Sequence, residues 1–193
     1  MAEEILSTPR AEPAYDGIAI ALHWLLALLI VGAFLVGLTM TDLPFSPRRF
    51  RLFNWHKWAG MAALFLSAAR LLWRLKDRSG PPLPPGMPPW QATAYRASHL
   101  AFYVLFFAVP LLGWFYTSAV GVPVVWLGVL PLPDLVPLDK AFGDQVWKPL
   151  HAWASYALGG LVVLHVFAAL KHQFIDRDQL LARMWPSRRR NAS

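Results

Sequence analysis

Six histidines offer this chain its most versatile chemistry, and three of them, His151, His165 and His172, fall in one apolar stretch, HAWASYALGGLVVLHVFAALKHQF. A strongly polar side chain in a lipid-spanning helix is costly, so it faces the bundle interior and marks a functional position. At about 100° per residue, the fourteen positions from His151 to His165 fall about 40° short of four full turns and rise roughly 21 Å. The two imidazoles therefore share a face but lie near opposite membrane surfaces. His172, seven positions on, returns to nearly the same face about 10 Å deeper.

The elements that must position them are membrane helices. The chain of 193 residues is 56% hydrophobic and 15% charged, and its mean hydropathy is +0.40, outside the balance of a soluble domain. Four segments, 17–40, 52–73, 94–118 and 150–170, are apolar enough and long enough for a hydrocarbon core of about 30 Å. They predict an all-α fold, an integral-membrane up-and-down four-helix bundle forming a single domain over 1–193. Residues 119–149 contain VPVVWLGVLPLPDLVP, which Pro123, Pro131, Pro133 and Pro137 prevent from being a regular spanning helix, so an interfacial or re-entrant outer loop is expected. The segment 79–89, SGPPLPPGMPP, is a stiff cytoplasmic linker. The first apolar run exceeds a signal-peptide core and no small-residue cleavage site follows it, so it is expected to stay in the mature protein.

Charge sets the orientation. Twelve Lys and Arg fall on the side of the termini and the 79–89 linker, and six on the other side. The positive-inside rule puts both termini in the cytoplasm. The formal charge of +7 follows from this topology, with anionic membrane lipid as a secondary partner; nucleic acid is not needed to explain it. The absence of cysteine excludes disulfides, thiolate-bound iron–sulfur clusters and covalently attached c-type haem.

A group held between two helices needs ligands at one depth. His56 stands just inside the outer start of the second span, as His151 does in the fourth. His23 follows the cytoplasmic start of the first span by about as much as His165 precedes the cytoplasmic end of the fourth. His99 and His172 remain as a third level at the cytoplasmic boundary. Two pairs of neutral imidazoles are what two b-type haems in the bundle core would require, with the irons ligated from both sides and electron transfer favoured over oxygen binding. Gly60, Gly159 and Gly160 lie near these levels, where a missing side chain lets a flat ring or a neighbouring helix come close. Zinc is the rival metal. No intramembrane carboxylate or thiolate joins the histidines, and two ligands per level fall short of the three or four that zinc takes.

In order and spacing, YDGIAIALHWLLALLI (15–30), NWHKWAG (54–60), RLLWRLK (70–76), HLAFYVLFFAVPLLGW (99–114) and the run from residue 151 to 186 resemble the bacterial-type cytochrome b561 family, especially its superoxide oxidase members. The resemblance covers nearly the whole chain and implies a bacterial inner-membrane protein with two non-covalent haem b groups. It implies axial ligation by His23 and His165 at the inner haem and by His56 and His151 at the outer one, in agreement with the depth matching. The loop before the fourth span differs in detail.

The resemblance further implies one of two activities. In the first, superoxide gives electrons to the outer haem and ubiquinone takes them from the inner one. In the alternative, the chain relays electrons between quinone and a partner dehydrogenase or periplasmic carrier. Arg51, Lys57 and Lys148, with Arg48 and Arg49, crowd the expected outer ends of spans two and four, where a cationic patch would steer an anion. His172 and His99 suit proton delivery to a quinone, and Lys171 or Arg96 could hold its carbonyl by a charge-assisted hydrogen bond. Arg70 and Arg74, one turn apart at the inner end of span two, are placed to hold haem propionates. No Ser-His-Asp set, phosphate loop or carboxylate pair supports other chemistry.

Overall fold

The computed structural model describes residues 15–77, 81–84, 86–178 and 180–185. Four long helices dominate: α1 Gly17–Asp42, α2 Pro47–Lys76, α3 Pro89–Ala119 and α5 Lys148–Lys171, with the single turn α4 Lys140–Phe142 leading through a wide π turn, Gly143–Trp147, into α5. All four outrun the apolar segments seen in sequence, because caps rather than hydropathy set their ends. Asp16 accepts from the amides of Ile18 and Ala19 at 2.8 and 3.0 Å and starts α1. Ser46 caps α2 ahead of Pro47, and α3 opens on Pro89, whose missing N–H costs nothing in a first turn. At its far end α5 widens into a second π turn, His172–Asp176, and stops at Arg177 in the left-handed region, φ 56°.

Consecutive helices pack against one another, α1 on α2, α2 on α3 and α3 on α5, while α1 meets α5 over only a short stretch. Residue pairing shows opposite chain directions: Ala19 with Arg70 and Ala33 with His56 between α1 and α2, and His99 with His165 and Val109 with His151 between α3 and α5. The side chains are arranged inside-out relative to a soluble bundle. Leu28, Leu72, Leu100, Leu164 and Phe167 are 66–70% exposed, while Ser67 is fully buried with its hydroxyl bonded to the Ala63 carbonyl. That is the pattern of helices whose outer solvent is lipid.

Among the described residues, three helical segments, Gly17–Asp42, Pro89–Ala119 and Lys140–Asp176, are long and apolar enough to cross a membrane. The second sequence span, 52–73, becomes part of α2, whose cations at both ends leave only residues 58–69 free of charge. The fold is mostly helical, as expected, and the loop 119–149 adds one small β element to it. A two-residue antiparallel ribbon forms there, β1 Val125–Trp126 with β2 Leu130–Pro131, and Leu127 and Gly128 turn it at φ 54° and 76°. Positive φ at both positions matches the right-handed twist of a ribbon. The ribbon is pinned to α2: the Trp58 indole donates to the Val125 carbonyl at 2.7 Å, the Trp126 indole to the Trp58 carbonyl at 3.2 Å, and Lys57 Nζ to the Pro123 carbonyl at 3.1 Å. Residues 79, 80 and 85 of the linker expected at 79–89, and most of both terminal arms, lie outside the described residues.

Candidate functional site

The depth-matched histidines come together as two pairs, each joining α5 to another helix, α2 through His56 and α1 through His23. The rings of His56 and His151 stand 6.0 Å apart, centroid to centroid, nearly perpendicular at 86°. Those of His23 and His165 stand 6.3 Å apart at 61°. Two metal–imidazole bonds of about 2 Å each, plus the two ring radii, come to about 6 Å. Both pairs thus have the spacing of imidazoles facing each other across one metal centre.

The His56–His151 pair is built twice in the same way. His56 Nδ1 lies 2.9 Å from the Ala33 carbonyl, and a Cβ on Gly37, one turn further along α1, would sit 3.1 Å from His56 Cε1. His151 Nδ1 lies 2.9 Å from the Val109 carbonyl, and a Cβ on Gly113, one turn further along α3, would sit 3.1 Å from His151 Cε1. A carbonyl can only accept, so each Nδ1 carries the proton and each Nε2 keeps its lone pair for a metal. In each half, a helix supplies a carbonyl at one position and a bare glycine four residues on, forming a seat for one imidazole. Sequence reasoning singled out Gly60, Gly159 and Gly160 instead. Gly159 packs against the Phe34 ring, whereas Gly60 and Gly160 have nothing within 4 Å of an added Cβ.

The expected third level, His99 with His172, does not assemble. His99 joins the other pair: its ring lies 5.8 Å from that of His165, stacks against Tyr95 at 4.1 Å, and donates from Nδ1 to the Tyr95 carbonyl at 2.7 Å. His172 turns to two carboxylates that sequence reasoning left out, Asp178 at 2.6 Å and Asp176 at 3.1 Å. The left-handed Arg177 swings Asp178 back to reach it. Lys171, expected to face a quinone, ion-pairs with Asp176 at 2.5 Å.

Arg70, Arg74, Arg96 and His99 gather around one cavity of about 260 Å³ between the ends of α1, α2 and α3. Arg70 donates to the Ala19 carbonyl at 3.1 Å, and Arg74 lies over the Tyr15 ring. Asp16 braces this end, accepting from the Trp73 indole at 3.0 Å. Burial alone would raise its carboxyl, but hydrogen bonds from Trp73 and the Ala19 and Ile18 amides, with the contact to Asp77, hold it below its ordinary value. At the opposite end Arg51 and Lys148 are exposed, while Lys57 is engaged with the ribbon.

Paired, proton-oriented imidazoles inside a lipid-facing helical bundle define a membrane protein made to hold metal-centred groups in its interior. The family model for prokaryotic cytochrome b561 matches residues 14–187, and the chain belongs to that family. It is 36% identical over 180 residues to cytochrome b561 homolog 2 of Escherichia coli, covering 93% of this chain and 95% of the relative. It is 29% identical over 181 residues to the probable superoxide oxidase CybB of Yersinia pestis, covering 91% and 97%. To cytochrome b561 homolog 1 of Escherichia coli it is 30% identical over 173 residues, covering 88% and 96%. Membership makes this chain a multi-pass, haem b-binding membrane protein of electron transport, an oxidoreductase. The donor sets present fit the haem: neutral nitrogen ligands, in pairs, at the separation a doubly ligated iron requires.

Proposed function

We propose that the chain is a di-haem cytochrome of a bacterial inner membrane which passes electrons from superoxide at its outer face to ubiquinone at its inner face. The observation that carries this reading is the pair of facing imidazole sets, His56–His151 and His23–His165, whose α5 members stand fourteen residues apart on one helix. On this reading α2 is the fourth span, held between α1 and α3, both termini are cytoplasmic, and residues 1–193 form one domain.

His56 and His151 hold the outer haem, and His23 and His165 the inner one. Each haem, when bound, supplies a one-electron iron couple. The protein's part is to fix the ligands and to keep the space between them apolar. Seating of His56 and His151 against main-chain carbonyls sets their tautomers, so no ligand proton has to move when charge arrives. Arg51 and Lys148, with Lys57, Arg48 and Arg49, make the outer end cationic and raise the local concentration of an approaching anion.

The overall balance is two superoxide anions oxidised to two O2 and one quinone reduced to quinol, with two protons taken from the inner side. His172 is the first candidate for that proton uptake. Its Nδ1–H is held by Asp178, a carboxylate that can only accept, so Nε2 is the site that binds and releases a proton. Lys171 and Asp176 complete a charged rim beside it. His99, adjacent to the His165 ring, is the second candidate for proton delivery, and Arg96 the second for a quinone carbonyl.

The test is to add superoxide anaerobically to the purified protein with a soluble quinone analogue. Quinol formation without any other protein supports the proposal. Haems that stay oxidised under superoxide, and are reduced only by a co-purifying protein, would instead establish a relay between the quinone pool and a partner dehydrogenase or periplasmic carrier.

A further inference from the structure

The cavity at the His23–His165 end has a charge that the ligand histidines do not explain. Among the described residues, three guanidinium groups line it, Arg70 and Arg74 from α2 and Arg96 from α3, against one lining carboxylate, Asp77. None of the three arginines forms a salt bridge with a described residue. These described lining residues therefore carry two net positive charges at the edge of an apolar bundle, where unmatched charge is expensive.

Tyr15 and Tyr95 add donors. Their hydroxyls lie 3.3 Å apart. One hydrogen bond between two hydroxyls uses a single proton, which leaves the second O–H free to donate into the cavity. Position gives the ligand. Ala19, which lines the cavity, precedes His23 by one helical turn of about 5.4 Å. His99 lines it too, with its ring 5.8 Å from that of His165.

We propose that this cavity neutralises the two carboxylates of the porphyrin held by His23 and His165, with Arg96, Tyr15 and Tyr95 acting alongside Arg70 and Arg74. This rests on the di-haem reading and reassigns Arg96 from the quinone to the haem. Two carboxylates match the two excess positive charges, and guanidinium groups pair with carboxylates through two parallel hydrogen bonds. A quinone ring is neutral and would leave all the excess charge uncompensated. The consequence is electrostatic. Cations beside the inner porphyrin favour the added electron, so they raise the inner potential and draw electrons from the outer level.

The test is a spectroelectrochemical titration of the purified two-haem protein, with the inner component identified as the one missing from His165→Ala. Arg96→Gln should weaken reduction of the inner component by about tenfold, equivalent to about 59 mV for a one-electron couple. The outer component should stay put, and Arg96→Lys should recover most of the loss. Tyr95→Phe should shift the inner component in the same direction by less, and it carries the test should Arg96→Gln fail to fold. Unmoved potentials in Arg96→Gln and Tyr95→Phe would overturn the proposal. If quinone affinity fell instead, the cavity would be the acceptor site; if only bound phospholipid fell, it would be a headgroup site. A wild-type protein without two haems would refute the di-haem reading itself.

Discussion

Gly113→Ala is the smallest change that reaches the His56–His151 pair without touching a histidine. The added Cβ would stand 3.1 Å from Cε1 and 3.2 Å from Nδ1 of His151, where ordinary contacts are about 3.5–4.0 Å. Relief requires the imidazole to retreat from α3 by roughly 0.5 Å. Its hydrogen-bond partner, the Val109 carbonyl at 2.9 Å, is on that same helix, so the retreat stretches the bond that orients the ring. A weakened hydrogen bond costs about 0.5–1.5 kcal/mol and overpacking about 1–3 kcal/mol, while exchanging helical glycine for alanine returns about 1 kcal/mol. The net cost of about 0.5–3.5 kcal/mol, with tenfold per 1.4 kcal/mol, corresponds to a loss of roughly 2- to 300-fold in affinity at the His56–His151 level. Haem retention during detergent dialysis, followed by the reduced-minus-oxidised spectrum, reads it directly. The outer component should be lost first and the inner one retained. Gly37→Ala should do the same through His56, whereas Gly160→Ala, with open space around it, should change nothing. Equal retention in Gly113→Ala and the larger Gly113→Val would refute the reasoning.

Other outcomes follow from the same geometry. The Asp16 carboxyl is held below its ordinary 3.8, so its contribution is full above that value and is lost as pH falls through the lowered one. Thermal unfolding in detergent should show an acid-side loss of stability that is smaller in Asp16→Asn. Trp58→Phe removes the indole bond to Val125, worth about 1 kcal/mol, and should speed amide exchange across the ribbon roughly fivefold while leaving α3 unchanged. Neutralising Arg51, Lys57 and Lys148 together should slow haem reduction by superoxide about tenfold at low salt and hardly at all at high salt, as screening predicts.

The imidazole pairs were legible in the sequence because helical rise and rotation fix depth and face once the spans are drawn. Depth alone misassigned His99, which lies beside His165 rather than at the level of His172, because no periodicity reveals the mutual register of α3 and α5. The acidic partners Asp176 and Asp178 follow the apolar run and become neighbours of His172 only because the chain reverses at Arg177. Glycine content pointed to clearance between helices. Which glycines seat the rings depended on the cross-helix pairing of Ala33 with His56 and Val109 with His151. The ribbon at 125–131 was hidden because an aliphatic, proline-cut segment carries no strand alternation, and its anchorage comes from Trp58 in a distant helix. Charged ends on α2 made its apolar run read shorter than the helix.

The central claim is that four histidines hold two haems at two depths. It is tested most directly by measuring haem b per chain in the wild type, His151→Ala and His165→Ala, together with the reduced-minus-oxidised spectrum of each. Two haems in the wild type and one in each variant, with different components missing, is the expected result. Two haems retained in both variants, or no b-type signal in the wild type, would contradict it.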